Sequence, residues 1–249
     1  MSIDLWHIIH PVGMAATGVL MWGTFAPSSR LWGSMARRGD ATRPAVALTF
    51  DDGPTPGSTE QVLDTLAAAG VRATFFVVGL NCDRHPGLVR RMHAEGHLVA
   101  NHTYDHSHFG VFRRRGFWDE QLRRTDASIA AIVGKRPALF RPPMGHKTPH
   151  TFAAAKKLGY ATVGWSRSAG DGLATTSDKI ARRLARSGPG DILLLHDGVE
   201  PNIPRRDQAA TVAALPGVLA NLKARGLDAV RLDELLSVKG YQDGAPRPG

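Results

Sequence analysis

The sequence predicts an α/β fold, a distorted (β/α) barrel of about seven parallel strands, on three observations. From about Arg43 onward, short apolar runs alternate with longer stretches of helical periodicity. These short runs carry almost no charge, which is typical of parallel strands that are buried on both faces. The length of 249 residues also suits one large domain, since barrels of roughly 200–250 residues fold as a unit. The predicted strands are residues 46–50, 73–78, 97–100, 138–140, 161–165, 191–195 and 229–232.

Helical periodicity predicts helices between these strands, and a glycine marks the end of each. Glycine suits the residue after a helix because it adopts the left-handed conformation without strain. Periodicity alone does not separate a barrel from an open sheet, although a barrel or near-barrel fits the alternation better. The predicted helices are residues 59–69, 86–95, 117–133, 149–158, 177–187 and 208–224, and the glycines are Gly70, Gly96, Gly134, Gly159, Gly188 and Gly226.

Composition excludes several classes of site. Cys82 is the only cysteine, so the chain has no internal disulfide framework, cysteine zinc finger or iron–sulfur cluster. A metal site must therefore use histidine, aspartate and glutamate, and the chain has 11 histidines. The formal net charge of +9 suits an anionic partner such as nucleic acid, a membrane surface or a polymer. No helix-turn-helix or aromatic-interleaved signature accompanies the scattered arginines, so we do not expect nucleic acid to be the partner.

The N-terminal segment differs from the rest of the chain because it lacks charge. No Asp, Glu, Lys or Arg occurs between residues 5 and 29. Residues 5–26 would span about 33 Å as a helix, slightly more than a hydrocarbon core of about 30 Å. His7, His10 and Pro11 lower the apolar character of this stretch, which keeps a second interpretation open. We therefore expect a membrane-associated helix, with a lead-in segment that packs on the domain as the alternative.

The chain divides into three predicted parts. Residues 1–42 are an apolar segment and linker, residues 43–238 form the barrel domain, and residues 239–249 form a flexible tail. If the apolar segment spans a membrane, the arginines behind it would favour a cytoplasmic domain. We expect a location in the bacterial cell envelope or at a membrane, on a side that the sequence leaves open, with the cytoplasm as the alternative. The oligomeric state is also left open.

Polar side chains follow several of the predicted strands. In a (β/α) barrel, the loops at the carboxyl ends of the strands assemble the active site. Residues as far apart in sequence as Asp51 and His196 would therefore meet at one mouth. The residues at these strand ends are Asp51, Asp52, His102, His106, Arg141, Asp171, His196 and Asp197.

The spacing of two histidines indicates a metal site. His102 and His106 are four residues apart, which on a helical turn places both imidazoles on one face. Asp52 would complete a set of two histidines and one carboxylate, which suits a catalytic zinc, iron(II) or cobalt ion. His108 is a less suitable ligand because it lies two residues beyond His106. The adjacent acids Asp51 and Asp52 also fit a turn or a helix cap.

These residues occur in an order that resembles the polysaccharide deacetylase family, also called the NodB-homology or carbohydrate esterase family 4 domain. The resemblance covers residues 45–236. It implies a distorted (β/α) barrel of NodB-homology type that removes N- or O-acetyl groups from sugar polymers or oligosaccharides, such as peptidoglycan or chitin fragments. The motifs that carry it are Thr49-Phe50-Asp51-Asp52-Gly53-Pro54, His102-Thr103-Tyr104-Asp105-His106, Arg141-Pro142-Pro143, Asp171 and Leu194-Leu195-His196.

The resemblance also implies a role for each site residue. Asp52, His102 and His106 would hold one divalent metal ion, most simply zinc, with cobalt or iron as alternatives. The metal would polarise the acyl carbonyl and lower the pKa of a bound water. Asp51 would be the general base, and Arg141 would keep its carboxylate ionised.

The implied roles continue at the leaving group and the acyl pocket. His196 would be the general acid that protonates the departing amine, and Asp171 would raise the pKa of His196. Leu194 would line the pocket for the acetyl methyl group. A backbone N–H just after Pro143 would help to hold the oxyanion. Without the resemblance, Arg141 also fits a surface or sheet-end arginine held by a carboxylate, and His196-Asp197 also fits a turn at the end of a strand.

Departures from the family pattern bear on the substrate. Met144 stands where an aromatic residue is common, so a flat wall for sugar stacking is lost next to Pro143. Gly172 replaces a tryptophan, so that side of the pocket should be wider or filled from elsewhere, and Ser168 stands near another family aspartate. The expected partners remain a carbohydrate and, through residues 1–42, a membrane surface. The alternative functions are deacylation or deformylation of a lipid-linked sugar and, without catalysis, sugar binding.

Overall fold

The structure, a computed structural model, describes residues 6–201 and 207–243. Its strands are β1 Ala45–Asp51, β2 Thr74–Val77, β3 Leu98–Asn101, β4 Leu139–Phe140, β5 Ala161–Thr162, β6 Arg167–Ser168, β7 Ile192–His196 and β8 Asp228–Val230. They pair in parallel in the order β5-β4-β3-β2-β1-β7-β6, and β8 pairs with the first half of β1.

The segment 161–169 closes the barrel. Its first half bonds to β4, since Val163 N donates to Phe140 O at 2.9 Å. Its second half bonds to β7, since Ala169 N donates to Leu194 O at 2.9 Å. The strand pairings therefore return to their starting point, which confirms the predicted distorted barrel. The predicted strands omit β6, whose two residues are too short to show a pattern.

The helices predicted from periodicity are all present, with ends within three residues of the expected ones. The short helices α3 and α9 escaped prediction because six and five residues do not show a helical period. The helices are α1 Trp6–Phe25, α2 Ser58–Ala69, α3 Gly79–Arg84, α4 Pro86–Ala94, α5 Arg115–Val133, α6 Pro149–Lys157, α7 Ser177–Leu184, α8 Ala209–Ala224 and α9 Leu232–Leu236, with 3₁₀ turns at Gly110–Phe112 and Pro143–Gly145.

Alternation along β1 decides which side chains reach the barrel interior. Every residue of β1 is buried, and its apolar side chains divide between a cluster against α2 and α8 and a cluster within the barrel. Because successive side chains of a strand point to opposite faces, Thr49 and Asp51 share the inner face with Ala45 and Ala47. The strand therefore directs a hydroxyl and a carboxylate into the barrel near its carboxyl end.

The predicted N-terminal helix is present as α1, and the linker after it lies along the barrel. Ala36 forms a parallel bridge with Val163, and Arg38 forms an antiparallel bridge with Asp191. Part of the predicted linker is therefore paired with the domain, ahead of the boundary at residue 43. Among the described residues, none of the helices combines the length and the apolar character needed to cross a membrane.

Residues 239–243 of the predicted flexible tail pack on the domain, whereas residues 244–249 lie outside the described residues. Tyr241 bridges to Pro137, and its hydroxyl accepts a hydrogen bond from Val99 N at 3.2 Å. Its ring lies edge-on to His93, with 5.7 Å between the ring centroids. This aromatic ring removes apolar surface from water, which is why the chain stays on the domain beyond residue 238.

We expect Tyr241→Ala to lower the free energy of unfolding by about 2–4 kcal/mol, because it removes a packed ring and the partner of a backbone N–H. Tyr241→Phe should cost about 1 kcal/mol, since only the hydroxyl is lost. Urea unfolding followed by circular dichroism measures both. The exposed Asp243→Ala serves as the control, and a Tyr241→Ala protein as stable as this control would contradict the packing role.

Candidate active site

Five of the polar residues predicted at the strand ends, Asp51, Asp52, His102, His106 and His196, line one cavity of about 460 Å³. Arg141 and Asp171 are buried and contact residues of its wall. The cavity is lined by Asp51, Asp52, His102, His106, His108, Met144, Trp165, Ser168, Gly170, Gly172, Leu173, Leu194, His196 and Glu200.

Asp52, His102 and His106 come together at the floor of this site. Asp52 Oδ1 lies 3.4 Å from His102 Nε2 and 3.3 Å from His106 Nε2, and all three residues are buried. Burial raises the pKa of Asp52, but the neighbouring imidazoles of His106, His102 and His196 outweigh burial and hold that pKa below its usual range. The carboxylate is therefore ionised although it is enclosed.

This arrangement fits a divalent metal ion. Ligand atoms about 2.0–2.2 Å from a tetrahedral zinc ion lie roughly 3.4 Å apart. Asp52 Oδ1 is buried and has no hydrogen-bond partner among the described residues, and a buried anionic oxygen is costly unless a cation neutralises it. His102 Nδ1 donates to Arg141 O at 2.8 Å, which leaves the Nε2 lone pair free for a metal. The residues present can therefore hold the ion.

The two histidines reach this point through a loop, and the helical turn expected from their spacing is absent there. Thr103 and His106 have φ angles of 69° and 53°, and Asp52 has a φ angle of 71°. Each non-glycine residue in this left-handed region costs about 1–2 kcal/mol. The surrounding packing must therefore hold the loop. The two imidazoles come together because of this loop conformation, and the helical geometry expected from their spacing plays no part.

Arg141 is fully buried and fixes one oxygen of Asp51. Its Nη1 donates to Asp51 Oδ1 at 2.6 Å and to Thr49 Oγ1 at 2.9 Å, and its Nη2 donates to Gly164 O at 2.9 Å. Burial lowers the pKa of Arg141, while Asp51 acts in the opposite direction. The other oxygen, Asp51 Oδ2, lies 3.6 Å from His102 Nε2. One oxygen is thus anchored, and the second faces the metal site.

Asp171 orients His196 from the neighbouring loop. Asp171 Oδ1 accepts a hydrogen bond from His196 Nδ1 at 2.9 Å, and Oδ2 accepts from His196 N at 2.9 Å and from Thr211 Oγ1 at 2.7 Å. Burial lowers the pKa of His196, but Asp171, with smaller effects of Asp52 and Asp51, raises it to about 9. His196 is therefore cationic near neutral pH, with Nε2 4.0 Å from Asp52 Oδ2.

The predicted substrate-binding residues are only partly in the wall of the cavity. Leu194 and Met144 line it, whereas Pro143 lies in the same turn as Met144 but is buried and outside the lining. Met144 has a φ angle of 55°, so the turn changes direction at this residue. Trp165, from the segment that closes the barrel, and Leu173 also line the cavity. The ring of Trp165 lies beside Gly145, next to Met144, so it supplies aromatic surface where the sequence predicted a loss of it.

Comparisons with known proteins identify the family. The family model for polysaccharide deacetylase matches residues 38–163. A peptidoglycan-N-acetylglucosamine deacetylase of Bacillus cereus is 38% identical over 200 residues, which cover 78% of this chain and 89% of that protein. The chain belongs to the polysaccharide deacetylase family.

Other relatives and a solved structure agree with this assignment to the polysaccharide deacetylases. A chitooligosaccharide deacetylase of a Bradyrhizobium species is 40% identical over 199 residues, covering 77% of this chain and 90% of the relative. A crystal structure of a peptidoglycan N-acetylglucosamine deacetylase in complex with an N-oxidanyl-benzamide matches with a TM-score of 0.77 and 30% identity. That match covers 84% of this chain and 95% of the other. The family is metal-dependent, and the group Asp52, His102 and His106 fits this property.

Glu200 is a residue of this deacetylase site that the sequence patterns missed. Its Oε2 lies 3.2 Å from His106 Nδ1 and also contacts His108 Nε2. His106 therefore presents one nitrogen to Asp52 and the other to a nearby carboxylate, whose negative charge raises the basicity of the imidazole. Only the position of Glu200, four residues after His196, could have pointed to it, because the sequence motifs end before it.

Asp197 connects two loops of the site. It is buried, and Thr59 Oγ1 donates to its Oδ2 at 2.5 Å. Burial raises the pKa of Asp197 to about 7, with Thr59 opposing this rise and Asp52 adding to it. Gly53 lies directly against the carboxylate, and a Cβ at that position would collide with it. Glycine is therefore required here so that the loop carrying Asp52 can approach the end of β7.

We expect Glu200→Gln to weaken the binding of a divalent ion by about 10–100-fold, because a neutral amide supports the basicity of His106 less than a carboxylate does. Titration of the metal-free protein with Zn²⁺ in competition with a chromogenic chelator measures the dissociation constant. His108→Gln is the matched control, since it removes the other histidine contact of Glu200, and it should bind Zn²⁺ nearly as well as the wild type. An unchanged dissociation constant in Glu200→Gln would exclude this role.

Proposed function

We propose that this protein hydrolyses the N-acetyl group of N-acetylated amino sugars in a polymer or oligosaccharide, with a divalent ion held by Asp52, His102 and His106. The observation that carries the proposal is an anionic and a cationic group beside the metal ligands. Asp51 Oδ2 lies 3.6 Å from His102, and His196 Nε2 lies 4.0 Å from Asp52. Amide hydrolysis needs such a pair, one to accept a proton from water and one to donate a proton to the leaving amine.

A divalent ion at this site supplies polarisation of the acyl carbonyl and a lower pKa for water. Zinc is the simplest choice for two imidazoles and one carboxylate, and cobalt or iron(II) also accept this ligand set. The chain's own residues then manage the protons. Asp51 Oδ1 is engaged by Arg141, so Oδ2 is the oxygen that accepts the proton of the attacking water. A proton-transfer group of this kind typically contributes about 10²–10⁴-fold in rate.

The leaving group is served by His196. Asp171 holds Nδ1, so the second proton of the imidazolium lies on Nε2, toward the cavity. As the C–N bond breaks, that proton passes to the sugar nitrogen, the water oxygen stays on the acyl carbon, and an amine and acetate leave. Leu194 supports this geometry because it offers the acetyl methyl group an apolar wall.

The substrate class rests on the relatives and on the cavity. Peptidoglycan and chitooligosaccharide deacetylases are among the proteins that this chain is similar to, and a cavity of about 460 Å³ is of a size suited to a sugar unit. A cell-envelope location would suit such a substrate. A lipid-linked sugar is the second candidate, favoured by the apolar side chains of Met144 and Leu173 in the cavity wall.

We expect Asp51→Asn to retain bound metal and to lose at least about 10²-fold in acetate release, because the base is removed while the metal ligands stay. His102→Ala should lose both the metal and the activity. Metal content by mass spectrometry and acetate release from acetylated chitooligosaccharides and peptidoglycan measure these effects, with the exposed Asp64→Asn as a control. Turnover at the wild-type rate in Asp51→Asn would overturn the mechanism, and acetate released only from a lipid-linked sugar would overturn the polymer substrate.

The raised pKa of His196 predicts an alkaline limit to activity. His196 is protonated below its pKa of about 9 and loses the proton as the pH rises through that value. Asp171→Asn should lower this pKa toward or below the usual value of about 6.5, since burial then acts without the opposing carboxylate. The decline in kcat should therefore shift to lower pH, while Thr211→Val, which keeps the carboxylate, should shift it much less. Identical pH profiles for Asp171→Asn and the wild type would contradict a general acid at His196.

A further inference from the structure

Helix α1 presents an apolar surface that the described part of the chain does not cover. Residues 12–22 are all exposed, and a Cβ added at Gly13 or Gly18 would have no neighbour within 4 Å. Met14 is 72% exposed and Leu20 is 50% exposed. No charged residue occurs between residues 5 and 29. A helix that is apolar around its whole circumference is stable where apolar surroundings enclose it.

The carboxyl end of α1 is attached beside the mouth of the active site. The ring of Phe25 lies edge-on to His146, with 4.9 Å between centroids, and 6.4 Å from the ring of Phe112. Lys147 Nζ donates to Ala26 O at 2.7 Å. Because His146 follows the turn that carries Met144 into the cavity wall, α1 leaves the domain next to the cavity opening.

Exposed apolar side chains continue this surface around the mouth. Phe109 is 70% exposed and Phe112 is 74% exposed, in the loop just after His108, which lines the cavity. Leu173 is 72% exposed and itself lines the cavity. We call Phe109, Phe112, Leu173 and residues 12–22 of α1 the apolar rim. Phe112 lies against Phe25 at the end of α1, and exposed apolar side chains grouped around an opening are of the kind that marks an interaction surface.

Charge indicates what covers the apolar rim. Arg113 and Arg114 follow Phe112 directly, and Arg30 follows α1 by five residues; all three are exposed. Along the chain, the apolar residues 12–21 are followed by the aromatic Trp22 and Phe25 and then by Arg30. This order matches a bilayer surface, where aromatic rings lie at the interface and basic groups meet anionic headgroups. A two-fold dimer through the same patch would instead bring the arginines of two copies together.

We propose that the apolar rim inserts into the surface of a bilayer that contains anionic phospholipid, so that the mouth of the active site faces the headgroups. Residues 12–22 and the rings of Phe109 and Phe112 enter the apolar layer, and Arg30, Arg113 and Arg114 contact phosphate groups. A substrate held at that surface would then reach the cavity without the domain leaving the membrane. Lipid binding requires no turnover, so its test is separate from that of the proposed deacetylation.

Flotation of the full chain with vesicles tests the proposal. The wild type should float with vesicles of phosphatidylcholine mixed with phosphatidylglycerol, and more weakly with phosphatidylcholine alone. Two double variants should each reduce the partition coefficient at least about tenfold. Leu20→Glu/Met21→Glu places charge in the lipid layer, and Phe109→Ser/Phe112→Ser removes apolar surface from it. The matched control is Val238→Ser, which also changes an exposed apolar residue. Val238 is close in sequence to Gly240, and Gly240 lies against Leu98 at the amino end of β3, away from the strand ends that carry the active site.

Arginine substitutions test the headgroup contact separately. Arg113→Gln/Arg114→Gln should reduce binding to the phosphatidylglycerol vesicles by about fivefold for each arginine and leave binding to phosphatidylcholine unchanged. Added salt should remove the same difference, since it screens charges beyond about 10 Å at 0.1 M.

Circular dichroism establishes that the variants are folded, which is expected because every substituted side chain is exposed. Three results would overturn the proposal. The first is no flotation of the wild type with either vesicle. The second is flotation that the rim variants do not change relative to Val238→Ser. The third is a wild-type dimer in sedimentation that Leu20→Glu/Met21→Glu converts to a monomer, since a second copy would then cover the apolar rim.

Discussion

The geometry of the site depends on one buried cation, the guanidinium of Arg141. It bonds to Thr49 and Asp51 of β1 and to Gly164 in the segment that closes the barrel. The backbone carbonyl of the same residue accepts the Nδ1 proton of His102. A buried cation is tolerated only when it is paired and hydrogen-bonded, so these contacts stabilise one another. Through them the proposed base, one metal ligand and the closure of the barrel are held in a single arrangement.

Around Arg141, each charged group of the active site lies next to a group of opposite charge or to an imidazole. Asp51 is paired with Arg141, Asp52 faces imidazoles, and His196 is paired with Asp171. The pKa of Asp52 is held low and the pKa of His196 is raised, so an anion and a cation stand 4.0 Å apart in a buried site. The lowered pKa keeps Asp52 anionic, as a ligand of a divalent ion must be, and the raised pKa keeps His196 protonated at the same pH. The strained loops cost stability, and the paired charges and the packed barrel beneath them hold those loops in place.

Sequence patterns predicted much of the fold because long, buried elements have strong periodicity. The strands from β1 to β3 and the helices α2, α4, α5 and α8 all follow from it. The patterns failed where an element is short, as in β6, α3 and α9, whose few residues show no period. They also failed for Glu200, because its role depends on where the loop after β7 passes His106, which sequence spacing does not encode.

The sequence by itself determined which side chains could do the chemistry. With one cysteine, the chain must build a metal site from histidine and carboxylate side chains. The motifs place several of these residues at strand ends, in the order of the family. Tertiary structure alone decided how these side chains meet. The left-handed backbone at Asp52 and His106, the burial that shifts the pKa of His196, and the exposure of α1 beside the mouth depend on contacts between distant segments. Desolvation and close packing arise only when those segments are brought together, so local sequence patterns do not predict them.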